Sequence, residues 1–225
     1  MAIRNEKAST AKILQDARFH RAAVGGHPKT LRLVERINAP YLSLKAARNA
    51  TEEAEDAAMD AFARLTLADF ELDEECRQSE LDVLGATGKD RDAVEYRACF
   101  GLVSLGELVA MRGVEQADAV KTLVEALARQ VPAVHAERGE RLLALAATAT
   151  TAEAAWLEAE RLAGGAFAFE KIERLQVVRQ LQKNQGALTE IFPGNRRRVR
   201  SFYRPGKARV VEAEPTDTDA DDDET

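Results

Sequence analysis

Only two cysteines, six prolines, three histidines and twelve aromatic residues stand among the 225 positions of this chain. Two thiols make no disulfide framework, and reduced cysteines in a cytosolic protein are the ordinary state. Aromatics at 5%, with no run of alternating Val, Ile, Thr, Tyr and Phe, exclude a core built from sheets. The longest weakly charged stretch, 98–111, contains Glu107 and is too short to span a bilayer, so no membrane partner is expected. Residues Met1 to Ala11 are polar and lack the apolar segment of a signal peptide. The expected location is the cytoplasm.

Alanine fills 41 positions, and Leu, Glu and Arg are abundant, which favours helices. The length suits one compact body with tails and buries a core without disulfides or metals. The expected fold class is all-α. It is a helical bundle with a long antiparallel hairpin, about 40–84 and 90–112, and a disordered charged C-terminal tail. The divisions are short N-terminal helices over 1–38, the bundle body over 39–192 and the tail over 193–225.

Ser9 or Thr10 caps a first helix on which Ile13, Ala17 and Val24 share a face, and Gly25-Gly26 ends it. Asn38-Ala39-Pro40 is expected to be a turn that opens the next helix. From Pro40 to Leu84 there is no further Gly or Pro. Leu44, Ala47, Thr51, Ala54, Ala58, Ala61, Leu65, Ala68 and Leu72 follow steps of three and four, a coiled-coil-like seam of mostly small residues. Gly85 to Gly88 ends that arm. The segment 93–111 is apolar nearly all round and is expected to be the central helix of the bundle, burying Leu102, Leu105 and Val109. Pro132 is expected to end a further amphipathic helix. Thr150-Thr151-Ala152-Glu153 reads as a capping box, Gly164-Gly165 as a helix stop, and 166–190 as a last helix.

Several fragments imitate motifs and fail on context. Gly85-Ala86-Thr87-Gly88-Lys89-Asp90 lacks the first glycine, the Ser/Thr and the strand of a phosphate-binding loop. His20, His27 and His135 have no carboxylate at ligand spacing and read as surface or boundary histidines. Asp217, Asp219 and Asp221 imitate a calcium loop without its glycine or twelfth ligand. The sequence therefore points to no cofactor, no metal and no catalytic set. Glu107 is the candidate buried acid, because Phe100, Val103, Met111 and Val114 share its face and burial raises a carboxyl pKa.

The end of the chain carries the clearest functional pattern. Arg196, Arg197, Arg198, Arg200, Arg204, Lys207 and Arg209 are interleaved with Phe202 and Tyr203, and eight acidic residues follow from Glu212 to Glu224. Arginines neutralise phosphates while aromatics stack on bases, and the same residues fit an acidic protein surface. The acidic end is placed to mask the basic stretch at high effective concentration. The expected function is a non-enzymatic helical scaffold or protein–protein interaction protein, self-associating or bound to a protein partner, with the charged tail for docking or self-masking. A nucleic-acid-associated protein using 196–209 is the alternative, and an enzyme of unknown class the third.

Overall fold

The computed structural model describes residues 8–205, and these are helical apart from short connections, with no strand among them. No described helix is long and apolar enough to cross a membrane. Helix α1, Thr10–Gly25, starts after Ser9 in extended backbone and ends at the Gly25-Gly26 pair, as its sequence dictates. A 3-10 turn, Pro28–Thr30, follows, with His27 Nδ1 accepting the Lys29 amide at 3.2 Å.

Helix α2 runs over 55 residues, Arg32–Ala86, straight through Pro40. The expected turn at 38–40 does not form. A proline inside a helix removes one backbone hydrogen bond and costs about 3 kcal/mol. Here the apolar spacing continues across it, and Leu33, Ile37 and Leu44 are all fully buried. Arg21 also ties the segment down, donating to Asn38 Oδ1 at 2.8 Å and lying 4.5 Å over the Tyr41 ring. Tertiary burial outweighs the local break.

Past Gly88 and Lys89, both in the left-handed region, the expected second arm at 90–112 is absent. Two short helices stand there instead, α3 at Val94–Phe100 and α4 at Leu105–Leu108. Ser104 and Glu107 form a reciprocal capping box that starts a new helix where continuity was expected. Gly101 and Gly106 already weaken helix propagation across the segment. Leu102, expected in the core, is 91% exposed; Leu105 and Val109 are only partly buried. Helix α5, Gly113–Gln130, takes the central place, burying Ala117, Val120, Leu123, Val124 and Leu127 at three- and four-residue spacing.

Pro132 opens helix α6 rather than ending its predecessor alone, and α6 continues for 60 residues to Ile191. The expected cap at Thr150-Thr151 does not form. The hydroxyls of Thr148, Thr150 and Thr151 return to the carbonyls of Ala144, Ala146 and Ala147 at 2.8–2.9 Å, which satisfies them inside the helix. Gly164 and Gly165 are likewise passed without a break. Helix α7, Arg196–Ser201, closes the described chain.

Contacts divide the chain into two units, with α2 and α6 contributing to both. Unit 2, Leu44–Glu173, contains the seam read from the sequence: seven of its nine positions are buried and Ala54 and Ala61 half-buried. Its partner is α6, running antiparallel, as the Phe62–Trp156 ring contact and the Arg138 and Arg141 pairs to Glu75 show. Leu72, Cys76 and Val83 of α2 join Cys99 and Phe100 of α3, the buried face of α5 and Leu142, Ala146 and Ala149 of α6 in one core. Unit 1 comprises Met1–Ser43 and Arg174–Thr225. Its core gathers Ile13, Ala17 and Val24 with Leu33, Ile37, Val177, Leu181 and Leu188.

Candidate functional site

The Arg-rich segment is folded over much of its length, so the disorder expected of the tail over 193–225 is corrected as far as Tyr203. Asn195 Oδ1 accepts the Arg198 amide at 2.9 Å and starts α7. Val199, Phe202 and Tyr203 are buried. Phe202 stacks on Phe192 with centroids 5.7 Å apart and meets His27 edge-on. The Tyr203 hydroxyl donates to the Leu181 carbonyl at 3.0 Å, and burial raises its pKa. Neither ring is free to stack on a base, which removes half of the pattern that suggested nucleic acid. Arg196, Arg197, Arg198, Arg200 and Arg204 remain exposed. Lys207, Arg209 and the acidic stretch 212–224 lie outside the described residues.

What holds this segment is His20, expected at the surface or a boundary and found fully buried. A steric cue was present in the sequence, since His20 continues the four-three-four spacing of Ile13, Ala17 and Val24. Its Nδ1 lies 3.0 Å from the Phe202 carbonyl, which only accepts, so Nδ1 carries the proton. Nε2 then accepts from Asn184 Nδ2 at 3.0 Å, and the Tyr203 ring stacks on the imidazole at 4.6 Å. Burial lowers the His20 pKa, with the Phe202 hydrogen bond opposing in part.

Charge is segregated between the units. The described residues of unit 1, 8–43 and 174–205, hold fourteen Lys/Arg against three Asp/Glu, a net charge of +11. Unit 2 holds fourteen Lys/Arg against twenty-six Asp/Glu, a net charge of −12. With residues 1–7 and 206–225 included, unit 1 sums to +6, and the −6 of the whole chain conceals the division.

Glu107, expected as a buried acid, is exposed and lies outside any core. The Ser104 amide and hydroxyl hold its carboxyl below the usual range, at 2.9 and 2.8 Å, so its role is a helix cap. Both cysteines are buried in the unit 2 core, and burial pushes the Cys76 thiol up to about 12. Among the described residues no group of three or more His, Cys, Asp or Glu is arranged to hold a metal ion.

The buried acids of α2 were not anticipated. Most have partners: Glu75 accepts Arg141 Nε at 2.8 Å, and Glu80 accepts the Tyr96 hydroxyl at 2.6 Å. Asp69 and Asp73 border a cleft of about 500 Å³ together with Phe62, Phe70, Trp156, Arg112 and Glu153. Asp73 Oδ1 accepts Gln116 Nε2 at 2.6 Å. Asp69 is only 7% exposed, and its Oδ1 has no hydrogen-bond partner. Arg112 reaches the outer oxygens of Asp69 and Asp73 at 3.8 and 3.7 Å from a largely exposed position. Burial raises the Asp69 pKa; Arg112 opposes that rise, while Asp73 and Glu153 add to it. Glu153, read as part of a capping box, instead accepts the Val114 amide at 3.0 Å and so caps α5 from α6. Gly113 is required there. Its φ is +55°, and a Cβ would run into the Glu153 carboxylate. The sequence signal for this cleft is slight: Asp69 and Asp73 each follow a seam residue, Ala68 and Leu72.

Fold and sites together define an all-α helical protein with one basic and one acidic unit. No protein-family model, no curated protein and no solved structure matches the chain.

Proposed function

We propose that the chain is a non-enzymatic helical scaffold that self-associates through its oppositely charged units. Charge segregation carries this reading: over the full sequence unit 1 sums to +6 and unit 2 to −12. Like charges gathered on one unit repel and weaken its compact state, and a facing surface of opposite sign removes that repulsion. The basic unit of one copy then faces the acidic unit of the next, a head-to-tail contact that propagates unless rotation closes it. Exposed Met59, Phe62, Leu67 and Phe70 on α2 supply apolar area for the contact. Sedimentation at about 50 mM and about 500 mM salt tests it. A mass above the 24.7 kDa of one chain at low salt, returning to it at high salt, is expected.

The net charge of unit 1 also supports a second reading, binding of nucleic acid in the cytoplasm through the exposed arginines of α7. With Phe202 and Tyr203 buried, such binding rests on phosphate contacts and depends steeply on salt. Anisotropy of a labelled mixed-sequence oligonucleotide measures it, and removal of residues 212–225 is expected to strengthen it if the acidic end masks the arginines. A chain that is monomeric at every salt concentration and ignores the oligonucleotide sinks both readings.

A further inference from the structure

The unit 2 cleft between α2, α5 and α6 has the composition of a receptor for an organic cation. We propose that it binds an alkyl-guanidinium group, seating the charge against Asp69 and Asp73 and the alkyl stem against Phe62 and Trp156. The proposal does not depend on the head-to-tail association proposed above, although Phe62 and Phe70 serve in both.

Three observations lead there. Asp69 is more than nine-tenths buried at the cleft wall, with Oδ1 lacking any hydrogen-bond partner. A buried carboxylate oxygen is costly when left unmet and is met best by a charged donor. The wall beside it is aromatic: Phe62 and Trp156 touch with centroids 5.8 Å apart, and Phe70 lines the same cleft. Aromatic faces attract guanidinium and cover an alkyl stem. The cleft also already meets a guanidinium at its mouth, that of Arg112. At 3.8 and 3.7 Å, that group is too far for hydrogen bonds to either aspartate and is mostly in water. It is a weak internal cation that a better-seated one displaces.

The remaining charges have other engagements. Glu153 accepts the Val114 amide, Asp73 Oδ1 accepts Gln116, and Arg77 reaches Asp73 Oδ2 only at 3.9 Å. Asp69 Oδ1 is closed off from solvent, so an incoming donor is met by the Oδ2 atoms of Asp69 and Asp73, both within 3.8 Å of one Arg112 nitrogen. Two carboxylate oxygens that close to one site suit the two-pronged face of a guanidinium better than a point-like ammonium.

Trp156 is the only tryptophan of the chain, so its fluorescence reports this cleft directly. The full chain is titrated from micromolar to about 10 mM with agmatine, and separately with an end-blocked pentapeptide holding one arginine among alanines. Saturable change in Trp156 emission is expected. Tighter binding of the peptide assigns the source to a partner's arginine side chain, and tighter binding of agmatine to a free amine. Arg112→Ala is expected to strengthen binding several-fold by removing the internal competitor. Asp69→Asn, close to the carboxylate in shape and expected to leave the far-ultraviolet circular dichroism of the helices unchanged, is expected to weaken it at least tenfold. No saturable response from either probe, in the native chain and in Arg112→Ala, overturns the proposal. So does Asp69→Asn binding as tightly as the native chain, or an equal response to uncharged butylurea.

Discussion

In unit 1 the fully buried side chains include His20, Thr30 and Asn184, each bonded to a backbone carbonyl or to one another, whereas unit 2 is closed mainly by Leu72, Val83, Val120, Leu127 and Leu142 around an alanine seam. The two designs have different consequences. A seam of small apolar residues brings long helices close and gains stability in proportion to buried area. A buried histidine with both ring nitrogens engaged accepts only one placement of its partners. Unit 1 therefore fixes where α7 docks, while unit 2 supplies bulk stability and a surface.

The largest expected effect lies in unit 2. Leu142→Ala removes a fully buried side chain from the common core and is expected to cost about 2–5 kcal/mol in urea unfolding. Leu102→Ala, in the segment first read as the central helix, is expected to stay within about 0.5 kcal/mol. Equal losses from the two substitutions would restore 90–112 as core and break the comparison.

Next comes the histidine of unit 1. His20→Ala leaves the Phe202 carbonyl and the Asn184 amide without the imidazole, a loss of about 1–3 kcal/mol. The distinguishing readout is local. Trypsin is expected to cut at Arg198 and Arg200 faster than in the native chain, because Phe202 and Tyr203 no longer hold α7 down. Cleavage at the native rate would show that the aromatic contacts suffice alone.

The units also differ in the sign of their pH dependence. Burial lowers the His20 pKa from its ordinary 6.5, so between that value and the folded one the unfolded chain binds more protons. The His20 contribution is full above pH 6.5 and is lost as the pH falls below it. Burial raises the Asp69 pKa above its ordinary 3.8, so the folded chain binds more protons in that window. Its ionised form is unfavourable throughout neutral pH. Urea midpoints from about pH 7 to about pH 5 separate the two. His20→Gln is expected to flatten the decline below pH 6.5, and Asp69→Asn to raise the midpoint at neutral pH. A fall in midpoint for Asp69→Asn would show that pairing with Arg112 outweighs burial.

What was legible in the sequence was the periodic part. The seam from Leu44 to Leu72 and the helix ends at Ser9, Gly25 and Gly88 follow from spacing and local chemistry alone. The partner of the seam was not legible. Residues 93–111 and α6 are both rich in apolar residues, and choosing between them depends on long-range packing. Interior signals misled because Pro40, Thr150 and Gly164 are strong local stops inside helices held elsewhere along their length: Leu33, Ile37 and Leu44 are buried around Pro40, Ala146 and Ala149 before Thr150, and Val177, Leu181 and Leu188 beyond Gly164. Of the site residues, the exposed arginines were found by charge. His20, Asp69 and Asp73 were missed because burial of a polar side chain is decided by what folds over it.

The smallest expected effect tests that account of the overridden stops. Gly164 and Gly165 sit inside α6 with open space where a Cβ would go, and neither has a positive φ. If the helix is imposed on them by packing at its flanks, they reduce its stability without serving a turn or a close approach. Gly164→Ala and Gly165→Ala are each then expected to stabilise unit 2 by about 0.5–1 kcal/mol, through lower chain entropy when unfolded. Gly113→Ala is the contrasting control, because there the positive φ and the Glu153 carboxylate both exclude a side chain. Its urea midpoint is expected to fall while those of the α6 variants rise. A fall at Gly164 or Gly165 would mean that α6 needs glycine at that point in order to bend, and the continuous helix through 164–165 would have to be abandoned.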